Sequence, residues 1–183
     1  DFMDILVMQY ELYNKVRKEG ILSIEQDVSV PENSGIFKKY PKFLANHEAV
    51  DFYCDALRQL VNGIDAGAID LSIETDLETH EKEIKGIPQV FARLADAFPG
   101  LGIVAAVLGI IVTMGYLDAP PEVLGHHIGA ALVGTFLGVL LAYGFLNPIS
   151  QKLETVNAEE EMYLACLASG FLAFSQGLAP MVA

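Results

Sequence analysis

The run from Pro99 to Pro148 constrains the fold of this chain more than any other stretch. Residues 100–117 contain no charged side chain. After a short polar turn at residues 118–122, no Asp, Glu, Lys or Arg occurs until Lys152. Eighteen residues of α-helix are about 27 Å long, close to the ~30 Å hydrocarbon thickness of a bilayer. The sequence therefore predicts a transmembrane helical hairpin over residues 99–149.

Charge is concentrated outside this hairpin. Residues 1–98 hold ten of the 11 basic residues and 18 of the 24 acidic ones, and the formal net charge is −13. Such an acidic chain is a poor match for nucleic acid and for an anionic lipid surface. We predict a cytoplasmic helical domain at residues 1–98, the hairpin at 99–149, and a cytoplasmic helical extension at 150–183.

Helical periodicity before the hairpin predicts an all-α protein. Apolar side chains at helical spacing indicate a helix over residues 1–18, and Gly20 is expected to end it. The segment Ser23–Gln26 fits a capping box that starts a short helix. Pro41 is expected to open an amphipathic helix that ends at Asn62–Gly63.

The segments flanking the hairpin are also expected to be helical. An acidic helix over about residues 65–85 is predicted to break at Gly86–Pro88. From Gln89 the chain is expected to enter the membrane as one helix, kinked at Pro99. After Pro148 the second membrane helix should continue as a polar stretch, and residues 162–178 should pack on other cytoplasmic helices.

The distribution of basic residues predicts the orientation of the hairpin. Lys82, Lys85 and Arg93 precede it and Lys152 follows it, whereas the turn between the spans has no Lys or Arg. The positive-inside rule places both polar segments in the cytoplasm. The chain starts without methionine inside a helical pattern, so we expect further sequence at both ends.

Neither span contains a carboxylate, a lysine or an arginine. A protein that conducts ions alone is expected to keep an ionisable group at membrane depth, so a partner chain would have to supply it. The sequence shows no nucleophile with a base and no nucleotide motif, and an enzyme is not expected. We expect no metal site at His80, His126 or His127, and buried thiols at Cys54 and Cys166.

Small residues recur along both spans. Such strips let helix backbones approach closely and favour oligomerisation. We assign helix packing to Gly102, Gly109, Ala130, Gly138 and Ala142. Pro99 and Pro148 stand at the cytoplasmic ends of the two spans, where a matched pair could form a hinge.

Several segments resemble the MotA family of flagellar motor stator subunits. They are PGLGIVAAVLGIIVTMG, LVGTFLGVLLAYGFLNP, ETDLETHEKE, and RKEGILSIEQD followed by FKKYP. The resemblance implies a four-span protein of the bacterial inner membrane, of which this chain keeps spans three and four. It further implies a homopentamer around a dimer of a MotB-like single-span partner, whose aspartate carries the ion. Ion flow would drive torque on the rotor switch protein FliG.

The resemblance also implies roles for individual residues. Arg17 and Glu25 match a charged pair that engages the rotor. Pro99 and Pro148 match prolines that couple ion flow to torque, and Thr135 matches a pore-facing threonine.

The transported ion is assigned by the same resemblance. Sodium-driven relatives carry threonine at the positions of Ala106 and Gly134, so the chain resembles the proton-driven type, and no cofactor is implied. The alternatives are an ExbB/TolQ-type proton-channel subunit that powers outer-membrane processes and a non-conducting membrane scaffold. The segment with Arg17 and Glu25 favours the stator.

Overall fold

The computed structural model describes residues 2–181, and within these the chain is helical with no β-strand. The predicted all-α class is confirmed. The α-helices are α1 (Phe2–Glu19), α2 (Glu25–Ser29), α3 (Pro41–Ala45), α4 (His47–Val61), α5 (Ala66–Met114), α6 (Pro121–Leu141) and α7 (Asn147–Ser175). Short 3₁₀ turns cover Ile21–Ile24, Pro31–Asn33 and Phe37–Lys39, and a π-helical turn covers Ala142–Leu146.

The chain forms two compact units. The globular unit comprises the residues up to Glu81 and those from Ala158 onward, and the hairpin unit comprises Lys82–Asn157. The predicted hairpin at residues 99–149 lies inside the second unit. Its membrane boundaries stay a prediction.

The globular unit has an aromatic core. Tyr53 is fully buried, and its ring lies 6.1 Å from that of Phe43 and 6.3 Å from that of Phe171, both edge-on. The Tyr53 hydroxyl donates a 3.0 Å hydrogen bond to the hydroxyl of Tyr13, whose ring stacks on Phe174 at 4.1 Å. Burial raises the pKa of both tyrosine hydroxyls. Because Phe171 and Phe174 belong to α7, the predicted packing of residues 162–178 on other helices is confirmed.

One predicted helix is divided in two. We expected a single helix from Pro41 to Asn62–Gly63, but α3 ends at Ala45 and α4 begins at His47. The side chain of Asn46 accepts a 3.1 Å hydrogen bond from the amide of Ala49, which is a helix N-cap. The stop at Asn62–Gly63 is confirmed, and Gly63 has φ of 75°.

The predicted capping box at Ser23–Gln26 is wrong. The Ser23 hydroxyl donates a 2.7 Å hydrogen bond back to the carbonyl of Gly20 and caps no amide of the next turn. Residues 21–24 form a 3₁₀ turn that leads into α2. Gly20, with φ of 88°, ends α1 as predicted.

The predicted break at Gly86–Pro88 is also wrong, because α5 runs without interruption through Pro88 and Pro99. Pro88 has no N–H, so the carbonyl of Ile84 lacks its usual donor four residues later. The side-chain amide of Asn157 supplies that hydrogen bond at 2.6 Å. A donor from α7 thus replaces the one that proline removes.

The described residues include two helices long and apolar enough to cross a membrane. Their most apolar windows have mean hydropathies of 2.2 and 2.0, and only 11% and 17% of the residues in those windows are buried. The core helix of a soluble protein would be mostly buried. Exposed apolar helices of this length suit a lipid environment or other membrane helices.

Candidate functional site

Glycines bring the two helices of the hairpin into backbone contact. A Cβ atom at Gly138 would lie 2.6 Å from the carbonyl oxygen of Phe98 and 3.2 Å from the Cα of Gly102. A Cβ atom at Gly109 would lie 2.5 Å from the Cβ of Ala131. No larger residue fits these contacts without displacing the backbone, so the small side chains set the helix separation.

Thr135 ties the two spans together by a hydrogen bond. Its hydroxyl donates to the carbonyl oxygen of Gly102 at 3.1 Å, and its side chain is half-buried. A hydroxyl has two lone pairs besides its proton, so Thr135 keeps its capacity to accept a hydrogen bond. Within this chain Thr135 is therefore a contact between helices that can still accept a hydrogen bond.

Of the other small residues predicted as site residues, some are buried or lie against the facing helix, and one is exposed on the surface. Ala142 is fully buried, and a Cβ atom at Gly134 would lie 2.9 Å from the Cβ of Ala105. Ala106 is half-buried. Ala130 is exposed, and the neighbouring Ala131 takes the contact with α5 at Gly109.

Both predicted hinge prolines lie within continuous helical segments. Pro99 is inside α5 and half-buried, whereas Pro148 is exposed near the start of α7. The π-helical turn directly precedes Pro148, and in it the amide of Asn147 donates to the carbonyl of Ala142, five residues back. Proline and a π-turn together interrupt the regular hydrogen-bond ladder at this end of the span.

Arg17 lies in the last turn of α1 and is exposed. Its guanidinium donates to the carbonyl oxygens of Leu178 at 3.1 Å and Gly177 at 3.4 Å, just beyond the end of α7. Arginine at a helix C-terminus satisfies carbonyls that have no partner within the helix. This predicted site residue therefore also makes a structural contact.

Glu25 is the first residue of α2 and is exposed. An ion pair links α2 to α1, with Lys15 Nζ 2.6 Å from a carboxylate oxygen of Asp27. Asp27 is largely buried, so this pair is shielded more than a surface pair. The two helices hold Arg17 and Glu25 on one globular unit.

A sequence profile of the MotA/TolQ/ExbB proton channel family matches residues 45–165. The chain belongs to this family. The match includes the whole hairpin unit, all of α4 and α5, and most of α7. The family is one of proton-channel proteins and not an enzyme class, and residues 2–181 include two helices long and apolar enough to cross a membrane.

Matches to individual relatives extend beyond residues 45–165, which the family profile covers. Motility protein A of Escherichia coli is 38% identical over 183 residues, which is 100% of this chain and 62% of the relative. The same figures hold for Motility protein A of Salmonella typhimurium. Chemotaxis protein LafT of Vibrio parahaemolyticus is 33% identical over 83% of this chain and 54% of the relative. The chain thus spans about three fifths of the length of the curated relatives that it matches.

Solved structures show the same fold. The flagellar MotAB stator complex from Bacillus subtilis contains a chain that matches with a TM-score of 0.79 and 26% identity. A MotAB structure from C. jejuni gives a TM-score of 0.82 at 21% identity. Each match covers 100% of this chain and 64% of the other.

In this family member, sequence reasoning missed Ser150 and Asn157 as contacts to α5, and it missed the π-turn. The Ser150 hydroxyl donates to the carbonyl of Pro88 at 2.8 Å. The available signal was Pro88 inside a helical pattern, together with polar side chains on a second helix that could bond to the carbonyls near it.

Within residues 2–181 no group of three or more potential ligands could hold a metal ion. His80 instead pairs through Nδ1 with Glu48 at 2.7 Å.

Proposed function

We propose that this protein is a flagellar motor stator subunit of the bacterial inner membrane. With a MotB-like single-span partner dimer it forms a proton-conducting channel, as a homopentamer, and it converts proton flow into torque on the rotor switch protein FliG. Both polar segments face the cytoplasm. No cofactor takes part.

One observation carries this proposal over an ExbB/TolQ-type role. The family profile begins at residue 45, and that family includes stator and ExbB/TolQ-type subunits alike. The match to Motility protein A of Escherichia coli covers the whole chain, including residues 1–44. Those first residues hold Arg17 and Glu25, the charged pair that we assign to rotor contact.

The hairpin supports a role shared with a partner chain. Its two helices pack through glycines and Thr135, and most of their large apolar side chains are exposed. Neither span carries a carboxylate, a lysine or an arginine, which favours a proton carrier on the partner's helix. The exposed faces offer the surface for that helix and for neighbouring subunits.

In the mechanism that we propose, protonation of the partner's aspartate changes its contact with the pore near Thr135 and Ala106. The hairpin helices then move about Pro99 and Pro148. This movement shifts the segment with Arg17 and Glu25 against FliG.

The test uses the complete gene product with a MotB-like partner, in a strain that lacks its own stators. Swimming speed is recorded while sodium is varied and a protonophore is added. Swimming that is independent of sodium and abolished by the protonophore is the expected result. Sodium-dependent swimming would overturn the assignment of the ion and keep the stator.

A negative result would need a control for assembly. A complex that is stable in the membrane and does not support swimming would overturn the stator proposal in favour of an ExbB/TolQ-type role. Recovery of iron–siderophore uptake in a strain that lacks its own subunit would establish that alternative.

A further inference from the structure

We propose that Ser150 and Asn157 are positioning residues that keep α5 helical across Pro88 and fasten it to α7. We call Ile84, Pro88, Ser150 and Asn157 the Pro88 clasp. All four lie in the hairpin unit, outside the predicted hairpin of residues 99–149. Of the four, the sequence assigned a role only to Pro88, as part of a predicted helix break.

The first contact of the clasp repairs the helix. A proline in the interior of a helix removes one hydrogen bond and exposes the carbonyl four residues earlier. For Pro88 that carbonyl belongs to Ile84, which is half-buried. The amide nitrogen of Asn157 lies 2.6 Å from this oxygen. The side chain of Asn157, on α7, therefore donates the hydrogen bond that the missing backbone N–H of Pro88 cannot.

The second contact holds the proline itself. The hydroxyl of Ser150 donates to the carbonyl oxygen of Pro88 at 2.8 Å. Ser150 is 2% exposed and Pro88 is buried, so water does not compete effectively for this hydrogen bond. The two donors are seven residues apart, which is about two helical turns, so both point from one face of α7.

The π-turn is what brings this face to α5. Gly138, on α6, contacts Phe98 and Gly102 on α5. Twelve residues separate Gly138 from Ser150, and in an uninterrupted α-helix they would lie about 120° apart around the axis. The π-turn at Ala142–Leu146 accommodates one extra residue, which reduces the angle to about 20°. The hairpin contact and the clasp therefore share a face.

The clasp has a consequence for torque generation, and this part rests on the proposed function. It joins the helix that enters the hairpin to the helix that leaves it, on the polar side of Pro99 and Pro148. Movement of the spans about these prolines would reach the polar segments through helices that are held together. Without the clasp, α5 would bend at Pro88, and the movement of the spans would not be passed on to the polar segments.

The structural test is a double-mutant cycle on the complete protein, purified in complex with its partner. In Asn157→Ala the carbonyl of Ile84 loses its donor, and we expect the amides of residues 85–93 to exchange hydrogen about tenfold faster. Pro88→Ala restores the backbone N–H. The double variant Pro88→Ala/Asn157→Ala should therefore exchange within about twofold of Pro88→Ala alone. Gln151→Ala, an exposed amide on α7, is the matched control and should leave exchange unchanged.

Rescue separates this role from general support of packing. A side chain that merely fills space would not become dispensable when a proline on another helix is replaced. Persistence of fast exchange in the double variant, or unchanged exchange in Asn157→Ala, would overturn the clasp. If Asn157→Ala does not assemble, recovery of assembly on adding Pro88→Ala supports the clasp, and continued failure overturns it.

The functional readout is swimming at matched stator levels. Asn157→Ala should swim more slowly than Gln151→Ala, and the double variant should recover. Equal swimming of Asn157→Ala and Gln151→Ala would overturn the coupling role. If the unsubstituted protein supports no swimming, the proposed function fails and the coupling role fails with it, whereas the exchange cycle still decides the structural part.

Discussion

Arg17 and Leu178 are joined by a hydrogen bond of 3.1 Å from the guanidinium to the backbone carbonyl. Gly177, with φ of 90°, makes the turn that presents this carbonyl after α7. The residue that we assign to rotor contact thus also closes the C-terminal turn of a core helix. Variants of Arg17 therefore have to separate a structural effect from a binding effect.

Reversal of the charge at Arg17 tests rotor contact. Arg17→Glu should abolish or strongly reduce swimming, because it places like charge against an acidic partner group. A complementary reversal on the rotor should restore part of the speed. Arg17→Gln is the control, since it can still donate to the carbonyls of residues 177 and 178. Full motility of Arg17→Glu, measured at equal protein levels, would remove this role.

Substitution of Gly138 tests the backbone contact within the hairpin. Gly138→Ala places a methyl group 2.6 Å from the carbonyl oxygen of Phe98 and should lower the free energy of unfolding by about 1–3 kcal/mol. Gly129 lies on the same helix, and a methyl group added there would meet nothing within 4 Å, so Gly129→Ala is the matched control. Denaturation of the purified complex gives the comparison, and equal stabilities would contradict the contact.

Thr135 allows its hydrogen bond to be separated from its volume. Thr135→Val keeps the shape and removes the donor to Gly102, whereas Thr135→Ser keeps the donor. We expect valine to reduce stability by about 1 kcal/mol and serine to change it less. Proton flux through the complex is measured in parallel. Reduced flux in Thr135→Val at unchanged stability would place the hydroxyl in the proton path instead of the helix contact.

The raised pKa of the Cys54 thiol predicts that the protein loses stability in alkaline solution. Burial raises the pKa of its thiol from 9.0 to about 12, so above pH 9 the unfolded chain releases a proton that the folded chain keeps. The free energy of unfolding is then unaffected below pH 9 and falls between pH 9 and 12, by up to about 1.4 kcal/mol per pH unit.

Cys54→Ala should remove this component of the slope. Tyr13 and Tyr53 also have raised pKa values, but their ordinary value is 10.0, so they contribute only from about pH 10. Burial also raises the pKa of the half-buried Cys166 thiol from 9.0, but Cys166 is present in both proteins. The difference between the two slopes, measured by chemical denaturation at half-unit steps from pH 8 to 10, therefore isolates the Cys54 thiol. An identical slope in both proteins between pH 9 and 10 would contradict the prediction.

The sequence predicts those parts of the fold that depend on local pattern. An uncharged run as long as a bilayer is thick leaves few alternatives to a membrane hairpin, and Gly20 and Gly63 mark helix ends because their φ angles favour glycine. The small residues of both spans indicated close packing. Their pattern did not distinguish Ala130 from Ala131, because neighbouring positions on a helix differ by only about 100°.

Features that depend on distant partners were not predictable in this way. Pro88 is a helix breaker by every local rule, and its repair comes from Asn157, 69 positions later. Ser23 fits a capping box, but its hydroxyl bonds to Gly20 instead. The rotor, pore and hinge roles of the other site residues stay predictions, since they concern partners outside the chain.

The π-turn has an evolutionary consequence. The π-turn at Ala142–Leu146 takes up one residue more than a regular helix needs to reach the same angle. Deletion of one residue here would yield a regular α-helix in which the positions of Gly138 and Ser150 still lie about 20° apart, so Ser150 and Asn157 would keep facing Pro88. Insertion of one further residue would instead turn everything after it by about 100° and point both side chains away. This segment can therefore lose one residue and keep its contacts, but it cannot gain one.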